Sequence, residues 1–260
     1  MPKISIITIA YNNKEGLEKT IRSVISQTYQ DFEFLVIDGG STDGSAALLE
    51  QYKSQIDYCV SEQDSGIYNA MNKGILASKG EYLLFLNSGD FLAGEDILLK
   101  ISHHFTGEDI VYGNAYYEVP NVKRYEYKIP SKITLGTLLR ESICHQSAFF
   151  RKDFMLENGM YDENYSISSD HIFNLKVFIQ KTPTQKHIPE YISVFDKSGI
   201  SCTQSDKAQR EVQEFLGKTL SKDLQKMALN YDKYQSFYEN KTGKLVRNLK
   251  EKYWRIRYGK

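Results

Sequence analysis

Leu84-Phe85-Leu86-Asn87-Ser88-Gly89-Asp90 joins an apolar run to small polar side chains and a carboxylate. The run reads as a buried strand. At the C-terminal end of a parallel strand, side chains face the crevice in which open α/β sheets take ligands. A carboxylate there suits a hard divalent cation with open coordination positions, such as Mn²⁺ or Mg²⁺. That cation can hold the diphosphate of a nucleotide-linked substrate. Asp90 is then the candidate metal ligand, and Asn87, Ser88 and Gly89 are candidate donor contacts.

Other polar clusters sit where the same crevice needs them. The first strand-like run ends at Tyr11-Asn12 and the second at Asp38 to Asp43. Thr8, Ala10 and Tyr11 are therefore donor-site candidates, and the Tyr11 ring can stack on a base. Asp38 can accept hydrogen bonds from a base or a ribose, and Gly39 and Gly40 allow close backbone approach. The competing reading of Ser41 to Gly44 is a capped strand-to-helix turn. Asp64 or Ser65 can cap a helix from Ile67, whose free N–H groups attract anions. Lys73, just inside it, reaches a phosphate or is simply solvated. Asp170 is either a general base at the crevice mouth or a first-turn acid favoured by the helix dipole. His145 and Gln146 are candidates for acceptor or diphosphate contact.

Periodicity supplies the scaffold. Strands are expected at Ile4 to Ala10, Phe32 to Ile37, Ile56 to Val60 and Tyr82 to Leu86. Between them a helix capped by Asn12 carries Leu17, Ile21, Val24 and Ile25 on one face. A short helix around Leu48 and another over Ile67 to Ala77 follow. The β-α-β alternation predicts a parallel sheet with helices on both faces. Further on come a helix over Asp96 to Phe105, strands at Ile110 to Tyr112 and His145 to Phe150, and a helix over Ser169 to Ile179. Asn114 to Lys132 reads as a hairpin or mobile loop. Beyond about Ser205 the pattern is helical and strongly charged.

The 260 residues are 41% apolar and 25% charged, with zero formal net charge, so no global field favours nucleic acid. Cys59, Cys144 and Cys202 lack metal-ligand spacing and suit a reducing compartment. The strand beginning at Ile4 leaves no room for a signal peptide, and no run reaches the roughly 20 apolar residues of a membrane span. These features predict a cytoplasmic protein.

Several segments together resemble family 2 glycosyltransferases of the GT-A fold. They are Ser5 to Asn13, Thr20 to Val24 with Gln27 to Tyr29, Val36 to Gly44, Ser61 to Gly74, and Gly80 to Asp90. Cys144 to Ser147, Gly159 to Asp162 and Ser168 to Asp170 complete the set, and the resemblance spans roughly residues 3 to 200. It is nearest the bacterial subgroup that builds O-antigen, capsule and colanic-acid-type polysaccharides. It implies a Rossmann-like, mostly parallel sheet flanked by helices. The expected division is a GT-A domain over 1–205 (nucleotide-binding half 1–90, acceptor-binding half 91–205) and a helical extension over 206–260. The resemblance makes Tyr11 and Asp38 base and ribose contacts, Asn87 to Asp90 the metal motif, and Asp170 the catalytic base. Three positions depart from the family pattern. Asn87 and Gly89 replace two aspartates, so His145 or His171 is a candidate extra ligand. Gly39 replaces an aspartate that reads uracil in some members. Ser169 replaces a glutamate.

The implied reaction is inverting transfer of a hexosyl group from a nucleoside-diphosphate sugar, a UDP-sugar by expectation, to an acceptor hydroxyl. A free aspartate has a pKa of about 3.9, so Asp170 must be made more basic by burial or by the acceptor. The segment 114–132 is assigned to water exclusion. From Lys241 on, Lys244, Arg247, Lys250, Lys252, Arg255, Arg257 and Lys260 face one acid, Glu251, with Leu245, Leu249, Tyr253, Trp254 and Ile256 among them. That pattern suits peripheral contact with an anionic inner-membrane surface, where acceptors of this subgroup ride on polyprenyl diphosphate. The other reading is a charged surface helix. A dinucleotide oxidoreductase would need G-x-G-x-x-G where Ala10 to Glu15 stands. A non-catalytic sugar- or nucleotide-binding scaffold is the alternative to the enzyme.

Overall fold

The computed structural model describes residues 2–119 and 124–239, with side chains of the last helix described through Lys233. Ile4–Ala10 (β1) is buried along its whole length, as a β-branched run between two helix layers must be. The next strands are Phe32–Asp38 (β2), Tyr58–Ser61 (β3) and Tyr82–Phe85 (β4). β1 lies parallel to β2 and β4, and β2 parallel to β3. Lys14–Ile25 (α1), Ser45–Gln51 (α2) and Ile67–Ala77 (α3) connect them. Alternation along β1 feeds two cores. Ile4, Ile6 and Ala10 join Phe34, Val36 and the apolar stripe of α1 (Leu17, Ile21, Val24). Ile7 and Ile9 join Leu35, Ile37 and Met71 and Ile75 of α3. α3 lies so close to β1 that a Cβ on Gly74 would stand 2.4 Å from Ile7 Cγ2.

The second half adds Phe91–Leu92 (β5), Ile97–Ile101 (α4), Ile110–Glu118 (β6), Tyr125–Tyr127 (β7) and Leu135–Leu138 (α5). Then come Ala148–Arg151 (β8), Lys152–Glu157 (α6), Ser169–Gln180 (α7), Gln185–Asp196 (β9), Ile200–Thr203 (α8), Ser205–Thr219 (α9) and Lys222–Glu239 (α10). Among the described residues the sheet has nine strands in the order β3-β2-β1-β4-β8-β6-β9-β5, with β7 on β6. It is mixed: β8 runs antiparallel to β4 and β6, while β9 is parallel to β6.

Several expectations shift. The cap of α1 is Asn13, whose Oδ1 accepts from Gly16 N at 3.1 Å. Asn12 is at φ 48, and its Oδ1 accepts from Thr42 N at 2.9 Å instead. Gly66, not Asp64 or Ser65, occupies the N-cap of α3. The expected strand at His145 starts only at Ala148. His145–Ser147 is a 3₁₀ turn that sends Gln146 and Ser147 inward to bond Asp90 and Ser193. The segment 114–132 contains the end of β6 and its hairpin partner β7, while residues 120–123 lie outside the described residues. β9 had no counterpart in the sequence reading. Leu216 and Leu220 sit in the same core as Phe173 and Val177 of α7, so α9 packs on the sheet domain. The basic segment 241–260 lies outside the described residues.

Candidate active site

The ends of β1, β2 and β4 are laced together by the residues that follow them. Gly39 N donates to Ala10 O at 2.9 Å and Asn12 N to Ser41 Oγ at 2.8 Å. Asn13 Nδ2 donates to Ser88 O at 3.1 Å. These strand ends form one wall of a cavity of about 1250 Å³. Ala10, Tyr11, Asp64, Asn87, Ser88, Asp90, His145, Gln146, Asp170 and His171 all line it. A Cβ at position 39 would stand 2.5 Å from Asp64 Oδ2, so a larger residue there would have to displace the end of that side chain. Asp64 thus fills space beside Tyr11 that an aspartate at 39 would need.

Four expected donor contacts are not in the cavity wall. Thr8 Oγ1 donates to Leu86 O at 2.7 Å and ties β1 to β4. Asp38 is fully buried, and Oδ2 accepts from Ser41 N at 3.0 Å and from Ser61 Oγ at 2.6 Å. Its role in this geometry is to shape the β2 loop. Lys73 pairs with Glu62 at 2.6 Å. Gly89 has φ +107 and donates its N–H to Thr20 Oγ1 at 3.0 Å, which turns the chain between Ser88 and Asp90. His171 Nε2 bonds Leu138 O at 2.7 Å, so the candidate ligand atom of this ring is Nδ1.

Asp90 and Asp170 are held differently. Asp90 is 4% exposed. Burial pushes its carboxyl up to about 6, against hydrogen bonds from Asp196 N at 2.9 Å and Gln146 Nε2 at 3.0 Å. Burial also pushes Asp170 up, but two donors outweigh it and hold the carboxyl below its ordinary value. They are His145 Nδ1 at 3.0 Å from Oδ2 and the Tyr68 hydroxyl at 2.7 Å from Oδ1. The expectation of a more basic Asp170 is therefore reversed in this geometry. Burial and the neighbouring carboxylate push Tyr68 well up, so it remains a donor. Asn87 Nδ2 lies 3.3 Å from His145 Nε2. An amide nitrogen only donates, so the neutral imidazole carries its proton on Nδ1, toward Asp170. One chain of contacts thus runs from Asn87 through His145 and Asp170 to Tyr68.

Asp196 and Tyr68 were not singled out from sequence. Asp196 ends β9, which went unread, and a terminal acid on a recognised strand would have flagged it. Tyr68 sits inside a helix, where its type and spacing carry no signal. Tyr117 and Tyr127 also line the cavity, stacked with ring centroids 4.4 Å apart.

Oxygen-rich chemistry surrounds Asp90. Asp196 is adjacent through its backbone N–H, and Asn87 Oδ1 is buried without a hydrogen-bond partner. An oxygen without a partner on the same cavity as Asp90 is chemistry that a hard cation can use, although both Asp90 oxygens accept hydrogen bonds here. Among the described residues no group of three or more His, Cys, Asp or Glu side chains is placed to hold a metal ion.

The chain belongs to glycosyl transferase family 2, whose family model matches residues 5–165. It is 31% identical over 211 residues to an uncharacterized glycosyltransferase of Mycobacterium tuberculosis, covering 80% of each chain. It is 29% identical over 215 residues to a PGL/p-HBAD biosynthesis glycosyltransferase of Mycobacterium bovis, covering 79% of this chain and 82% of that one. The fold is GT-A-like. S. aureus TarS 1–349 in complex with UDP-GlcNAc superposes with TM-score 0.66 at 18% identity, covering 92% of this chain and 74% of that one. A mannosyltransferase of Pyrobaculum calidifontis with GDP-Man and Mn²⁺ gives TM-score 0.63 at 16% identity, over 84% of this chain and 64% of that one.

Proposed function

We propose that this glycosyltransferase moves a hexosyl group, with inversion, from a nucleoside-diphosphate sugar to an acceptor hydroxyl. The observation that carries the reading is that Asp90 and Asp170 line one cavity. That cavity exceeds the roughly 300–1,000 Å³ of an ordinary small-molecule site, which leaves room for donor and acceptor together. The nucleoside lies against Tyr11 and Asp64, with Gly39 permitting close approach. A UDP-sugar is the preferred donor; TarS, of the same fold, was solved with UDP-GlcNAc.

Asp170 receives the proton of the attacking hydroxyl. Tyr68 and His145 fix its two oxygens, so the base is aimed before substrate arrives. Their cost is low basicity, and the base strengthens when a bound acceptor displaces one of the two donors. Asp90 and Asp196, with Asn87 Oδ1, would hold Mn²⁺ or Mg²⁺, which supplies Lewis-acid neutralisation of the departing diphosphate. Gln146 Nε2 and the Asp196 N–H hold the two Asp90 oxygens here, and a bound cation would share or displace one of those bonds. Tyr117, Tyr127 and the hairpin that carries them shield the reacting centre from water.

The proposed acceptor is a lipid-linked glycan in bacterial surface-polysaccharide assembly. The basic, aromatic pattern over 241–260 supports peripheral membrane contact. Among the described residues no helix is long and apolar enough to cross a membrane. The test is nucleoside diphosphate release from a panel of UDP-, GDP- and dTDP-sugars with and without Mn²⁺. Metal-dependent release from one donor supports the reading. Binding without release from every donor indicates a non-catalytic scaffold.

A further inference from the structure

Helix α9 presents one carboxylate to the loop that leads into Asp170. Glu211 Oε1 accepts from Ser166 N at 3.0 Å and from Ser166 Oγ at 2.8 Å. Its Oε2 accepts from Ile167 N at 3.0 Å and from Ser168 N at 2.9 Å. Three consecutive backbone N–H groups thus converge on one side chain from a helix more than forty residues away. Burial pushes the Glu211 carboxyl up, but these bonds outweigh it and hold the group below its ordinary value. The same helix takes a second hold, since Ser168 Oγ donates to Ala208 O at 3.0 Å.

The clamped loop is continuous with the catalytic machinery. Ser168 is the N-cap residue of α7, and no side chain of its own caps that helix. Asp170 stands in the first turn. The Tyr68 hydroxyl that touches Asp170 also lies 2.6 Å from Ile167 O. Displacing Ile167 therefore displaces both Asp170's helix and its hydrogen-bond donor. Ile167, Ser168 and Asp170 all face the cavity.

We propose that Glu211 is a positioning residue of glycosyl transfer: by gathering the N–H groups of 166–168 it sets where Asp170 stands. The proposal rests on Asp170 being the base. It makes α9 a part of the active site, although no Glu211 atom needs to touch substrate. A carboxylate is required because every one of its four partners donates. Glutamine at that position would aim an amide N–H at a backbone N–H, and two donors cannot bond each other.

A double-mutant cycle separates this role from simple stabilisation. The full chain is assayed with the best donor of the panel, reading kcat, donor KM and the affinity for the free nucleoside diphosphate. Glu211→Gln is expected to lower kcat about tenfold, with donor KM and nucleoside-diphosphate affinity within about twofold of the original. In an Asp170→Asn background the same change is expected to cost less than about twofold, because a residue acting through Asp170 is silent once the base is gone. An equal loss in both backgrounds, or no loss in either, overturns the role of Glu211 and leaves Asp170 standing. Full turnover by Asp170→Asn alone overturns the reading beneath it, and the proposal with it. Should Glu211→Gln melt below the assay temperature, Glu211→Asp is put through the same cycle. It keeps the charge and shortens the reach by one carbon, and the same outcomes decide.

Discussion

At the scale of single residues, one cavity holds two carboxylates pushed in opposite directions: buried Asp90 is raised by burial, and half-buried Asp170 is lowered by its neighbours. Asp170 is held low by His145 and Tyr68, so it is ionised and aimed in the resting site. Asp170→Asn is expected to lower turnover by about 10²-fold or more while donor affinity persists, read by steady-state kinetics beside calorimetric titration. Asp90 is the reverse case. Its folded-state value is raised to about 6 by burial, so the fold prefers the protonated form. Its contribution to stability is full below its ordinary value of 3.8 and is lost as pH rises through about 6. The loss amounts to about 3 kcal/mol for a shift of that size. In denaturant melts without metal, the stability of Asp90→Asn relative to the original should therefore rise between pH 4 and pH 7. A difference that stays flat with pH would place Asp90 in a wetter site than the one seen here.

At the scale of elements, the close approach of α3 to β1 sets the back wall of the cavity. Gly74→Ala gains helix propensity of up to about 1 kcal/mol. It also places a methyl 2.4 Å from Ile7 Cγ2 in a core with no room to shift. Overpacking of that kind costs about 1–3 kcal/mol, so a net loss of melting temperature is expected. A more stable variant would mean that α3 can move away from the sheet. The β-α-β half of the fold was legible because its strands are uninterrupted apolar runs and its helices carry one apolar stripe. The second half was less so. β9 begins with Gln185, Lys186 and His187 and contains Pro189, and its pairing with β6 shifts register around Asn114. No simple alternation survives those features, and Asp196 was lost with the strand. His145–Ser147 reads as strand by composition, but long-range bonds from Gln146 and Ser147 fold it into a turn. The polar strand ends were visible as a set. Which side chains among them face the cavity was not, because Thr8 is diverted by Leu86, Asp38 by Ser41 and Ser61, and Lys73 by Glu62. Glu211 lies in a helix rich in Glu and Lys, where an acid reads as solvated.

At the scale of the whole molecule, zero net charge hides a strong asymmetry, since the segment 241–260 carries eight Lys or Arg against one acid. If that segment attracts an anionic surface, deleting it should abolish sedimentation with phosphatidylglycerol vesicles at low salt and leave nucleoside-diphosphate affinity unchanged. Unchanged vesicle binding assigns the segment to contacts with protein. The central claim concerns two walls of one cavity, and diffraction from a crystal soaked with a turned-over donor's nucleoside diphosphate and Mn²⁺ tests it most directly. The account predicts an anomalous peak between the diphosphate and the Asp90 and Asp196 carboxylates, with the Asp170 carboxylate across the cavity facing the space left for the sugar. A diphosphate and cation bound elsewhere, with Asp90 still sealed by Gln146 and the Asp196 amide, would contradict it.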